Sequence, residues 1–271
     1  MLSACAGFFF IVTHAQITDE NTLPNKVYNN PQQTTKGTFY ISAGYNLDWY
    51  ADGTLHFKDL TTNNYDFSLS NVKAKDRDGL KHLLKEDITI PQYSFRIGYW
   101  LNKKYDLGIE LNYDHAKYVM YKNQVLHLKG FIQGVYYDKD TLVNTNFLTF
   151  EHTNGANFAM LNVMKRQNIW HSKNNKWWLG AVAKTGFGIV IPRSDVTIFQ
   201  VNRNDKYHVA GYITAIETGF RFDFLKHYFL ETTGKGVFAN YYNVLLPGEG
   251  RAKHKVLGFE YIFLCGLQFP L

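Results

Sequence analysis

Apolar and polar side chains alternate one by one through most of this chain, and that period constrains the fold more than any motif. In 39–49 the odd positions are Phe39, Ile41, Ala43, Tyr45, Leu47 and Trp49, against Tyr40, Ser42, Gly44, Asn46 and Asp48. Segments 93–101, 105–113, 177–191, 210–224 and 257–269 repeat the pattern. A period of two means strands with two unlike faces. Runs of this length exceed the usual strand of about five or six residues, and about ten residues is what a tilted strand needs to cross a bilayer. One face is rich in Phe, Tyr, Leu and Ile; the other mixes Gly, Ser and Asn with isolated charges. A soluble sandwich would present a flat, charged, solvated face. Glycine beside single charges fits a crowded barrel interior. In lipid, only closure satisfies the edges of such a sheet. Tyr and Trp recur at strand ends (Trp49, Tyr50, Trp100, Trp177, Trp178, Tyr241, Tyr242), as interfacial girdles would require.

The expected fold is therefore all-β: a closed, antiparallel, up-and-down transmembrane barrel. Strands are expected near 38–50, 89–101, 105–121, 124–134, 145–153, 157–169, 176–191, 208–224, 228–242 and 255–269, which makes about ten. A hairpin from 54–58 and 64–72 would make twelve. Short turns fall at 102–104, 171–176 and 225–227, and longer loops at 51–88, 192–207 and 243–254, with one short helix over 76–86. Ahead of this, 1–15 has the layout of a secretory signal: an apolar run from Ala6 to Val12, then Ala15 as the cleavage residue. Residues 16–36 form a polar leader, and 37–271 the barrel domain. Cys5 leaves with the signal, so Cys265 stands alone and no intramolecular disulfide is expected.

With its signal segment, its dyad repeat and a last strand ending Leu267-Gln268-Phe269-Pro270-Leu271, the chain resembles small outer-membrane β-barrel proteins of Gram-negative bacteria over roughly 37–271. The resemblance implies an outer-membrane address and a monomer.

Chemical motifs are sparse. There is no His-Glu-x-x-His, no zinc-spaced cysteine pair and no Gly-x-Ser-x-Gly. Gly234-Lys235-Gly236 lacks the phosphate-loop frame. Neither metal nor cofactor is expected. Eight charges fall on the inward face: Arg96, Glu110, Lys184, Glu217, Arg221, Glu231, Lys235 and Glu260. Paired with one another, they would stiffen a narrow lumen. The leading functional expectation is accordingly non-enzymatic: a structural or surface-interaction barrel with a largely filled polar lumen. A narrow pore for small polar solutes is the alternative use of the same charges.

The string Glu151-His152-Thr153-Asn154-Gly155-Ala156-Asn157 is the other candidate. Asn-Gly is a strong hairpin signal. His152 and Glu151, with Asp114-His115 at the same height, could place imidazoles beside carboxylates, the basic element of acyl-transfer chemistry. Lipid A 3-O-deacylases of the outer membrane carry a His-x-Ser pair on a barrel strand. His152 resembles that His, but Asn154 stands at the Ser position. The comparison implies an outer-leaflet, lipid A-type acyl hydrolase as a further alternative. Net charge is +6. Lys73, Lys75, Arg77, Lys81 and Lys85 cluster in one loop and Arg251, Lys253 and Lys255 in another. After a secretory signal, the partners expected for them are outer-membrane lipid and the phosphates of lipopolysaccharide rather than nucleic acid.

Overall fold

The computed structural model describes residues 37–77, 92–101, 106–204 and 206–271. The signal segment, the leader, Lys81, Lys85 and nearly all of the expected helix over 76–86 lie outside the described residues.

The described chain is entirely strand and turn. In order come β1 (Thr38–Tyr50), β2 (Gly53–Asp59), β3 (Tyr65–Val72), β4 (Ala74–Lys75), β5 (Tyr93–Trp100), β6 (Leu107–His115) and β7 (Tyr118–Met120). Then follow β8 (Gln124–Ile132), β9 (Val135–Val143), β10 (Leu148–His152), β11 (Phe158–His171), β12 (Trp177–Val190), β13 (Asp195–Ile198) and β14 (Val201–Arg203). The last are β15 (Gly211–Phe224), β16 (Tyr228–Leu245) and β17 (Arg251–Pro270).

Eight of these close a ring, β1-β5-β6-β11-β12-β15-β16-β17, with β17 returning to β1. That closing ladder runs antiparallel along all of β1, from Thr38↔Pro270 to Tyr50↔Gly258. Every neighbour in the ring is antiparallel, so it is an up-and-down barrel. Eight strands leave an interior just wide enough to hold side chains.

The fold class is the expected one, but the ring has eight strands rather than ten or twelve. The strands expected at 124–134 and 145–153, and the hairpin over 54–58 and 64–72, all form, yet outside the ring. β16 and β17 run on past the barrel's upper end, and β2, β3, β8 and β9 add to the edge of β17. The loop expected at 243–254 is thus mostly strand. β4, β7, β10, β13 and β14 form a second sheet. The two sheets face each other as a sandwich: Phe57 of β2 meets Phe150 of β10 edge-on at 5.9 Å, and Phe67 of β3 stacks on Phe147 at 5.9 Å. Leu55, Leu69, Leu126, Leu128, Val196 and Ile198 fill the space between.

Alternation alone does not distinguish these two environments, because the polarity inverts between them. In the cap the buried face is apolar, with Leu55 and Phe57 in and His56 and Lys58 out. In the barrel the buried face is polar, with Ser94 and Arg96 in and Phe95 and Ile97 out. The Asn154-Gly155 turn is likewise not a hairpin. It joins β10, paired with β7 and β13, to β11, paired with β6 and β12.

Two glycines let the ring close around its contents. A Cβ on Gly44 would overlap the Phe263 carbonyl across the β1–β17 ladder, and one on Gly98 would overlap the Tyr40 ring in the lumen. Gly44→Ala should therefore cost about 1–3 kcal/mol or more through overpacking. The check is the melting temperature of the compact, heat-modifiable band on a detergent gel. An unchanged midpoint would show that the ladder has slack that the geometry does not display.

Candidate functional site

The barrel wall separates two kinds of surface. Outward residues over 39–49, 93–101, 107–113, 159–163, 177–189, 212–224, 228–242 and 257–269 include no charged side chain. Ile216 is 70% exposed, Phe187 66% and Leu257 62%. Trp177, Phe222, Phe224 and Tyr228 stack in sequence near the lower end. Trp49 packs against Phe259 near the upper end. Of the aromatics expected in girdles, Trp100, Trp178 and Tyr241 instead point inward and are buried. Their parity places them on the lumen face, Trp100 and Trp178 with the even residues of β5 and β12 and Tyr241 with the odd residues of β16, where they close off the two ends of the polar interior.

Inside, charges are layered. At the bottom, Arg166 and Arg221 both reach Asp223 at 2.9 Å, and Arg221 also donates to Gln268 at 3.0 Å. Arg221 lies over the Phe229 ring and Arg166 over Trp100. In the middle, Lys184 contacts Glu231 at 2.6 Å, Glu110 at 2.8 Å and Glu217 at 3.4 Å. Tyr40 donates to Glu110 at 2.5 Å, Asn162 donates to it at 3.0 Å, and Thr233 donates to Glu217 at 2.8 Å. Higher up, Asp114 accepts from Arg96 at 2.5 Å, Lys235 at 2.6 Å and Asn112 at 2.7 Å, and Lys235 also reaches Glu260 at 3.2 Å. At the top, Asp48 accepts from Gln92 at 2.7 Å. All eight lumen charges named from sequence are buried here. The list of lumen charges read from the sequence omits Asp48, Arg166 and Asp223 and the hydroxyl of Tyr40, although each shares the inward parity of a neighbour two positions away: Asn46, Met164, Arg221 and Ser42.

The lumen ends in a throat where cap and barrel meet. His152 of β10, from the second cap sheet, faces His254 of β17, from the first, with their Nε2 atoms 3.0 Å apart. His152 Nδ1 lies 2.8 Å from Ser194 Oγ. Tyr241 stacks on both rings, at 5.0 Å and 4.5 Å, and Phe150 and Tyr118 complete the box. Burial holds the His152 imidazole well below the usual histidine range, and His254 and His208 add to the effect.

The four candidate catalytic residues do not converge. Asp114 belongs to the ion network. Its neighbour His115 faces away, bonding Asn157 at 2.8 Å and stacking on Tyr93 at 4.8 Å. Glu151 faces the opposite side of β10 from His152; burial pushes its carboxyl up. His152 thus meets a serine and a second histidine, not a carboxylate. Ser194 and His254 lie 42 and 102 residues from His152, and no local pattern announces either. Among the described residues, no three His, Cys, Asp or Glu side chains converge to hold a metal.

Of the basic loop residues, Arg251 is tied to Asn243 and to the Glu249 and Gly250 carbonyls, whereas Lys253 and Lys255 are exposed.

No protein family's sequence profile matches the chain, and no curated protein matches it. Among solved structures it is similar to the outer membrane protein OprG of Pseudomonas aeruginosa, at 12% identity and TM-score 0.42, over 89% of this chain and 99% of that one. It is also similar to Ail, the attachment invasion locus protein of Yersinia pestis, in complex with the heparin analogue sucrose octasulfate. That likeness has 11% identity and TM-score 0.34, over 86% of this chain and 99% of that one. The N-terminal β-barrel domain of Pseudomonas aeruginosa OprF matches at 11% identity and TM-score 0.32, over 87% of this chain and all of that one.

Lys184 is the hub of the middle layer, so its loss strands three buried carboxylates. Lys184→Met should destabilise the barrel by about 3–5 kcal/mol, as removing one partner of a buried pair does. Adding Glu231→Gln should recover part of that. Denaturant unfolding in detergent micelles measures both. Equal midpoints for wild type and Lys184→Met would mean that the pairs contribute nothing to stability.

Proposed function

We propose that the chain is an outer-membrane barrel whose polar lumen is a filled structural core and whose cap is a surface-interaction platform. The observation that carries this reading is the reversal of polarity across the barrel wall. Charges are paired inside, and the outward faces of eight strands carry none over their middle spans. In water, such a wall would be a contiguous apolar surface far larger than soluble monomers expose. In a bilayer it is matched to its solvent. Closure of β1 on β17 supports the same reading, since it leaves no unsatisfied strand edge at membrane depth.

A filled lumen is favoured over a pore because side chains bond across the barrel at every level, from Arg166–Asp223 to Lys235–Asp114. The exposed lysines of the upper end, Lys73 between β3 and β4 and Lys253 and Lys255 on the upper part of β17, support contact with anionic groups such as lipopolysaccharide phosphates. The acyl-hydrolase alternative gains a hydroxyl, Ser194, beside His152. It is weakened by the complete burial of His152 and by the lack of a carboxylate on either histidine.

The test is membrane fractionation with a heat-modifiability gel, run on wild type and on Leu111→Arg and Ile216→Arg. An arginine at mid-wall should cost about 2–4 kcal/mol in lipid, so both variants should lose yield of the folded band in the outer-membrane fraction. Wild type recovered in the aqueous fraction without detergent would overturn the membrane reading. Discrete conductance steps in planar bilayers would overturn the filled lumen. A changed lipid mass profile in His152→Ala, with the barrel still folded, would restore the hydrolase.

A further inference from the structure

We propose that the His152–His254 contact is a proton-operated latch that holds the two sheets of the cap together at the throat of the barrel. His152 sits on the sheet of β4, β7, β10, β13 and β14; His254 sits on β17, which carries β2, β3, β8 and β9. Their facing Nε2 atoms are 3.0 Å apart. One must carry a proton and the other must not. The bond therefore requires at least one neutral imidazole: a first added proton would be a buried charge with no counter-charge on either ring, and a doubly protonated pair would place two N–H groups head to head.

The surroundings offer an added charge no direct partner. Ser194, from 191–194, takes the other nitrogen of His152; Nδ1 of His254 has no hydrogen-bond partner. Phe150 of β10, Tyr118 of β7 and Tyr241 of β16 enclose both rings. Tyr50 of β1 packs on Tyr118, and Asp52 also approaches Tyr118. The nearest acids below, Asp48 of β1 and Glu260 of β17, act on Tyr241 and bond neither imidazole. Glu151 lies on the far face of β10. His208, from 206–210, also acts on His152 and disfavours a positive charge on it.

The sign follows. A histidine held neutral by burial is protonated more readily in the opened cap than in the closed one. Closure is therefore fully favoured above the ordinary histidine range and weakens as pH falls through it. Each histidine that titrates on opening shifts the equilibrium by up to tenfold per pH unit below about 6.5. The latch does not depend on where the barrel resides, so its failure and the failure of the membrane reading are distinguishable.

Hydrogen exchange of the purified, refolded chain in detergent at pH 7.5 and 5.0, corrected for intrinsic rates, reads it directly. Amides of β7 and β10 should lose at least tenfold protection at pH 5.0, while those of β11, β12 and β15 below the throat stay protected. In the double variant His152→Gln, His254→Gln the β7 and β10 amides should keep the same protection at both pH values. His208→Gln should remain pH-sensitive. Equal wild-type protection at both pH values overturns the latch without recourse to any variant. So does pH sensitivity that survives in the double variant or vanishes in His208→Gln.

Discussion

Closure of the first barrel strand on the last is the constraint from which the rest follows. Once β1 pairs with β17 along its whole length, every strand of the ring has two neighbours and the interior volume is fixed. An eight-stranded ring encloses a space of about side-chain size. What the sequence places on the inward face must then fit together in that space, away from water. Charges so enclosed are costly unless each meets an opposite charge or a hydrogen bond. Lys184 among three glutamates, and Asp223 between two arginines, meet that requirement in different layers.

The dyad period made the barrel and its orientation legible: the odd residues of 39–49 and 93–101 do face outward. The strand count was not legible, and the reason is physical. A strand such as β8 alternates as faithfully as β5, because a sheet buried on one face has the same period whether the buried side is polar or apolar. Only the content of the two faces differs. Leu126 and Leu128 point into an apolar cap, whereas Ser94 and Arg96 point into a charged lumen. Reading which chemistry faces inward requires knowing which side is inside, and that is a property of the closed ring.

The site divides in the same way. Charges on barrel strands could be assigned to the lumen from parity alone, Asp114 included, although its neighbour His115 suggested a catalytic pairing. The throat could not be read, because its members come from separate connections. His152 arrives on β10, Ser194 between β12 and β13, and His254 on the upper extension of β17. Each is unremarkable in its own segment. Their meeting depends on two sheets built from different loops packing face to face.

That interlocking has a consequence for variation. Connecting loops ordinarily tolerate insertion and drift because little packs against them. Here the connections 51–92, 116–157 and 191–210 each supply strands to one shared core, so lengthening one would disturb residues contributed by the others. Among the described residues, the tip of the β8–β9 hairpin stands apart from this core. Gln133 and Gly134 both lie in the left-handed region, and the space around Gly134 is open. A glycine-flanked segment inserted at this point would keep the positive-φ turn and meet no neighbouring side chain, so the chain can lengthen here without disturbing the shared core, although a bulkier residue at Gly134 itself would strain the backbone.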